Sequence, residues 1–309
     1  RMPAARFVRW LALVAHLKQS IAVNEEGHRD ASLVLFSWVF GKAYERPAFR
    51  LFLRSAAGSG VDVVLLGDPP PPDLELPANV RSARFGWESL ASSLEQLLNS
   101  GRPLPAFRAA HASKVSDVKP LTALLVPELV QGYKWWGWCD NDIWLGDVAG
   151  LLSEELRGFA TDFLSLGPSW GPLSIARNVP AVTALPTRRR NRGILLRVLG
   201  SSQYRAFDEW GEPAWGGFGY NSSFSGLLGA AAAAGEIRLG HRSLGRAMWD
   251  GPCLNRSSTS CGFCSMCFPM APHGADRRAG RPGATRLCAL DGSELLLCHF
   301  QYSKEQPWF

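Results

Sequence analysis

Apolar positions in the first 140 residues switch between two periods. Residues 32–40 (Ser-Leu-Val-Leu-Phe-Ser-Trp-Val-Phe) form an unbroken β-prone run closed by Gly41, the pattern of a strand buried on both faces. Residues 47–57 then take helical spacing, with Phe49, Leu51, Phe52 and Leu53, before Gly58 and Gly60. Residues 61–66 predict a second strand ending at Gly67-Asp68 and four prolines. Residues 79–85 predict a third, shorter strand and 89–98 a helix. This order predicts an α/β fold with a mainly parallel central sheet and right-handed crossovers. In such sheets ligands sit beyond the carboxyl ends of the strands, so the loops after residues 41, 67 and 140 should line a site.

Further on, residues 122–130 read as helix that Pro127 breaks or restarts. The aromatic run 133–139 (Tyr-Lys-Trp-Trp-Gly-Trp-Cys) is β-prone and delivers the chain into Asp140-Asn141-Asp142. Residues 151–229 mix short strands and helices, and the alanines at 230–234 suit a helix. The predicted organisation is a helical extension over 1–30 and one domain over 31–309, with a Cys-rich insertion at 250–285. There is no internal repeat.

The 309 residues, 46% hydrophobic and 19% charged, exclude a disordered chain. No stretch reaches the ~18–20 apolar residues needed to span a bilayer, so membrane association is expected only through a segment outside this chain. The record starts at Arg1, which is compatible with an upstream signal or anchor. A net charge of +6 suits an anionic ligand. The basic residues are scattered and the run at 188–192 is short, so nucleic acid is not an expected partner; that run reads as a solvated loop.

Asp140 and Asp142 are two apart, and in extended backbone such residues point to the same side, so both carboxylates can face one ion. Mg²⁺ and Mn²⁺ take oxygen ligands and keep positions open for phosphates. Paired aspartates also flank ordinary turns, but a place at the end of a buried strand favours a ligand. Asp208-Glu209, followed by the glycine-aromatic run 215–221, reads either as an acceptor-side loop or as plain surface. Aromatic faces stack on sugar rings, and carboxylates accept hydroxyl protons. Lys114, Asp117 and Lys119 read either as the start of a helix, with Ser116 as its cap, or as nucleotide ligands.

A set of motifs in order resembles a family of GT-A-like glycosyltransferases. Lys114-Val115-Ser116-Asp117-Val118-Lys119-Pro120 is similar to its Lys-x-x-Asp-Phe-Lys-Pro segment. Gly132 to Asp147, with Trp136-Gly137-Trp138-Cys139-Asp140-Asn141-Asp142, is similar to its Trp-Gly-x-Cys-Asp-x-Asp segment. The segment Gly171 to Asn178 and Cys298-His299-Phe300-Gln301 match further stretches. Val118, Asn141 and Trp144 depart from the pattern without removing a candidate ligand. The resemblance implies a GT-A-like fold, a nucleotide-sugar donor (a UDP-sugar), a carbohydrate or glycoconjugate acceptor, and retaining hexosyl transfer with Mn²⁺ or Mg²⁺. It makes Asp140, Asp142 and His299 the metal ligands and places Lys114, Asp117, Lys119, Asp140 and Arg177 on the donor. Asp208 or Glu209 is then the candidate for orienting or deprotonating the acceptor.

Two other functions compete. A nucleotidyltransferase would carry a glycine-rich phosphate loop after its first strand, and 41–47 has one glycine. A non-catalytic carbohydrate-binding module would need only the aromatics. Of seven cysteines, Cys253, Cys261, Cys264 and Cys267 suit either zinc or disulfides, with Cys288 as a further partner. The disulfide reading goes with the Golgi or another secretory lumen, the expected location, with the cytoplasm as the alternative. Cys139 reads as a buried thiol.

Overall fold

The computed structural model describes residues 33–98, 103–110, 112–158, 160–165, 169, 171–240 and, as backbone, 247–249 and 297–299. The expected extension at 1–30 and the Cys-rich insertion, with Cys253, Cys261, Cys264, Cys267 and Cys288, lie outside the described residues, as does the side chain of His299.

Four strands stand side by side in parallel: β3 (Val80–Arg84), β2 (Asp62–Gly67), β1 (Leu33–Val39) and β4 (Trp135–Cys139). The chain between them forms α1 (Pro47–Gly58) and α2 (Trp87–Leu98). The sheet continues through β7 (Leu173–Arg177), β6 (Phe163–Ser165) and β8 (Leu239–Gly240), and β7 runs antiparallel to both its neighbours. The sheet is therefore mixed, mainly parallel on the side that carries β1 to β4. A smaller sheet orders β5 (Ile143–Leu145), β10 (Leu297–His299) and β9 (Ala247–Trp249), with β10 antiparallel to β5.

The apolar run of β1, interrupted only by the buried Ser37, has its reason in two cores. Val34, Phe36 and Trp38 join the cluster beneath α2, α3 (Arg192–Leu199) and α4 (Phe224–Ala233). Leu33, Leu35 and Val39 join the opposite cluster with Phe49 and Phe52 of α1. Each large side chain so buried contributes roughly 1.5–3 kcal/mol. The aromatic run of β4 divides in the same way, Trp136 and Trp138 to one face and Trp135 to the other. Gly137 between them is required by packing, because a Cβ there would lie 2.4 Å from the Ser174 carbonyl oxygen of β7.

Proline acts as expected at 127. The helical pieces Thr122–Leu125 and Pro127–Val130 are separated by Val126 at φ −133°, ψ 58°. No helix of the described residues is long and apolar enough to cross a membrane.

Candidate active site

The loops at the carboxyl ends of β1, β2 and β4 meet at one edge, where the strand order placed them. Gly41 donates its N–H to Asp68 Oδ2 at 2.7 Å, and Tyr44 Oη donates to the Asp68 carbonyl at 2.8 Å. Asp140 leaves β4 with its N–H on the Pro172 carbonyl, 3.1 Å away. Asn141, which departs from the family pattern, donates Nδ2 to the Trp38 carbonyl at 3.0 Å and so ties the acidic triplet to the end of β1. Asp142 is 8% exposed, while the Asp140 side chain is 25% exposed. Cys139 is buried, and burial pushes its thiol far up, which makes it inert.

Lys119 is the hinge of the site. It lies in the last turn of a 3₁₀ segment, Ala112–Leu121, and its buried ammonium donates to Asp140 Oδ1 at 2.6 Å, Asp208 Oδ2 at 2.9 Å and the Gly171 carbonyl at 3.1 Å. Burial alone would lower its pKa, but Asp140 and Asp208 outweigh burial and raise it, so it is a fixed cation. Asp208 is only 1% exposed. Burial lifts its carboxyl to about 6 against the pull of Lys119, and Tyr204 Oη donates to its other oxygen at 3.2 Å. Burial, followed by the charge of Asp208, lifts the less buried Glu209 to about 8. Burial thus raises two adjacent carboxyls toward neutrality, a pairing suited to proton transfer.

Lys114 and Asp117 are both fully buried and joined at 2.6 Å. Burial lowers the first and raises the second, drawing each toward its neutral form. Lys114 spends its other donors on the carbonyls of Val198 and Gln203. Asp117 accepts from the N–H groups of Arg205 at 2.9 Å and Phe207 at 2.8 Å. Between those two sits Ala206 at φ 50°, a left-handed conformation that costs a non-glycine residue about 1–2 kcal/mol. The carboxylate clamps the strained turn that carries Asp208 into the interior. The expectation of Lys114 and Asp117 on the nucleotide therefore meets a different use of both side chains. Nor does a helix start here with Ser116 as its cap, since Ser116 lies inside the 3₁₀ segment Ala112–Leu121.

Arg177 is not brought to the triplet. Because β7 runs antiparallel to β4, Arg177 pairs with Trp135 at the start of that strand while Asp140 follows its end. It bonds Asp162 Oδ1 at 3.1 Å, which Arg238 shares. His299 is brought close: the register of β10 sets its backbone opposite Ile143, the residue after Asp142. Among the described residues no three His, Cys, Asp or Glu side chains converge to hold a metal ion. With His299 added, two carboxylates and an imidazole make a donor set that suits a hard divalent cation.

Over residues 35–222, more than half its length, the sequence matches the family of unknown function DUF6625. The chain belongs to this family. No curated protein matches it. Among solved structures, mouse xyloside xylosyltransferase 1 in its apo form is similar at a TM-score of 0.41 and 8% identity, over 89% of this chain and 100% of that one. The DUF6625 span holds Lys114, Asp117, Lys119, Asp140, Asp142, Arg177, Asp208 and Glu209, and ends before His299.

Three participants within the DUF6625 span went unmarked by residue type or spacing. Tyr204 supplies the second bond to Asp208. Ser169 Oγ, on a buried residue, donates to the Asp208 carbonyl at 2.9 Å. Gly171 donates its N–H to Glu209, and a Cβ on it would lie 2.5 Å from Glu209 Oε1 and 2.8 Å from Asp208 Oδ2. Only the resemblance of the Gly171 segment to a family motif pointed at any of the three.

Proposed function

We propose that this protein is a glycosyltransferase that moves a sugar from a nucleotide-diphosphate sugar, a UDP-sugar, to a carbohydrate or glycoconjugate acceptor. The observation that carries this reading is the Lys119 bridge. One ammonium holds together Asp140, expected on the donor side, and Asp208, expected on the acceptor side, although 68 residues (208 − 140) separate them in the chain.

In the proposed reaction the acceptor hydroxyl oxygen bonds to the anomeric carbon, the bond from that carbon to the diphosphate breaks, and UDP departs. Asp140, Asp142 and His299 would hold a Mn²⁺ or Mg²⁺ ion, which when bound supplies Lewis-acid neutralisation of the diphosphate. Lys119 adds a fixed positive charge beside Asp140, so it is the residue of the 114–119 segment suited to the phosphate side. Lys114 and Asp117 act at one remove, by fixing the turn before Asp208. Glu209, the more exposed carboxyl, takes the hydroxyl proton or grips the hydroxyl, and its titration near neutrality suits either. Asp208 orients it.

The test is UDP release from UDP-hexoses by the purified protein, with Mn²⁺ and with chelator. Release should need the metal, and Asp140→Asn and Asp142→Asn should abolish metal-dependent donor binding while the melting curve stays cooperative. Full metal-dependent activity in either variant overturns the assignment of the triplet.

A further inference from the structure

Arginines that cluster elsewhere in the described residues share a carboxylate. Arg188 and Arg190 converge on Glu236, Arg177 and Arg238 on Asp162, and Arg108 engages Glu88 and Glu95. Arg197 of α3 and Arg205 are built otherwise. Both guanidinium carbons stand 4.8 Å from the centroid of one ring, Phe218. Among the described residues no ion pair includes either of them. The hydrogen bonds of their side chains go to neutral groups. Arg205 donates Nε to Ser201 Oγ at 2.8 Å and Nη1 to the Gly216 carbonyl at 3.0 Å, and Arg197 donates to Ser222 Oγ.

Two like charges gathered on one ring repel, and the ring's quadrupole offsets this only in part. A guanidinium fork has donors left over and is shaped for the oxygens of a carboxylate, sulfate or phosphate. The second observation is independent of charge. The large hydrophobic side chains exposed among the described residues are Phe218, at 37%, and Tyr220, at 45%. Phe218 lies against both cations, and Tyr220 stands two residues further along the same loop. Exposed aromatics beside arginines have the composition of a recognition surface.

The patch adjoins the candidate active site along the chain. Arg205 stands three residues before Asp208 in the turn clamped by Asp117. Arg197 neighbours Val198, whose carbonyl accepts from Lys114.

We propose that Arg197, Arg205, Phe218 and Tyr220 form the binding site for an acidic saccharide, whose oxyanion lies between the two guanidiniums and whose apolar face lies on the exposed aromatics. This deepens the transferase reading by giving the chemical class of its acceptor, and it rests on that reading for the word acceptor alone.

The test uses the full chain at low ionic strength. Calorimetry compares a glucuronate-containing oligosaccharide, its carboxyl-reduced neutral analogue, a sulfated neutral analogue, inorganic sulfate and UDP. The acidic saccharide should bind about tenfold more tightly than its neutral analogue, the scale of hydrogen bonds to charged groups. Whichever of the carboxylated and sulfated saccharides binds more tightly identifies the oxyanion. Arg197→Ala, at an exposed position, should erase the preference. Arg205→Gln should do the same, with a melting curve to separate binding from folding. Equal binding of acidic and neutral saccharides, or a preference that survives Arg197→Ala, overturns the proposal. Sulfate alone binding as tightly as the saccharide overturns it in favour of a simple ion site. A tenfold loss of UDP affinity in Arg197→Ala overturns it in favour of the donor diphosphate. Mn²⁺-dependent donor hydrolysis is followed on the same samples. Hydrolysis without acidic preference sinks this inference alone, whereas acidic preference without donor binding sinks the transferase reading and leaves the saccharide site standing.

Discussion

Replacing Asp208 by Asn removes a charge that the fold holds at a cost. The carboxyl is 1% exposed, and its pKa stands at about 6 against an ordinary 3.8. An acid raised in this way adds stability that is complete below its unfolded pKa and is lost as pH rises through its folded one. By linkage the loss totals about 3 kcal/mol, of which about 2 kcal/mol falls between pH 4.5 and 7.5. Near-complete burial leaves no solvent screening to discount. Asn has nearly the shape of the protonated acid and does not ionise. The stability of Asp208→Asn minus that of the parent should therefore rise by about 2 kcal/mol over that pH interval. Urea unfolding followed by tryptophan fluorescence, in chelator at pH 4.5, 5.5, 6.5 and 7.5, measures this difference; groups remote from Asp208 cancel, while Glu209, whose carboxyl the Asp208 charge raises, adds to the difference in the same direction. The same variant should slow transfer to acceptor far more than it weakens UDP-sugar binding, gaining stability where it loses function. A difference that stays flat with pH would show that Lys119 compensates the buried charge in full. The reasoning from burial would then be wrong.

Other outcomes follow from the same geometry. Gly171→Ala puts a methyl against the Asp208 and Glu209 carboxylates and should cost about 1–3 kcal/mol of stability, as overpacking does, with transfer falling in step; an unchanged melting temperature would mean the carboxyls yield. Lys114→Met strands the buried Asp117 carboxylate and should cost about 3–5 kcal/mol, read as a shifted denaturation midpoint. Glu209→Gln should lower transfer while leaving donor affinity within twofold or so, as expected of a group acting on the acceptor proton; parent-rate transfer would remove the loop from the chemistry.

Much of this fold was written locally. The residues of β1 announce a doubly buried strand because both faces of the sheet are covered, so all its positions but Ser37 are apolar. Pro127 breaks its helix for want of an N–H, and the acidic triplet follows a buried strand to the ligand-binding edge. All of these depend on neighbours a few residues away, and periodicity reports them. What the tertiary structure decided were pairings through space. Arg177 sits in a matching motif, yet the reversal of β7 carries it to the far end of the sheet, and strand direction is not a local property. Lys114 and Lys119 occupy equivalent places in one short motif and both are buried, but their partners assign the first to a structural clamp and the second to the bridge between Asp140 and Asp208. The two arginines over Phe218, which join no ion pair among the described residues, look like any others in the chain. Only the folded arrangement, which gives their relatives carboxylates and gives them a ring, sets them apart.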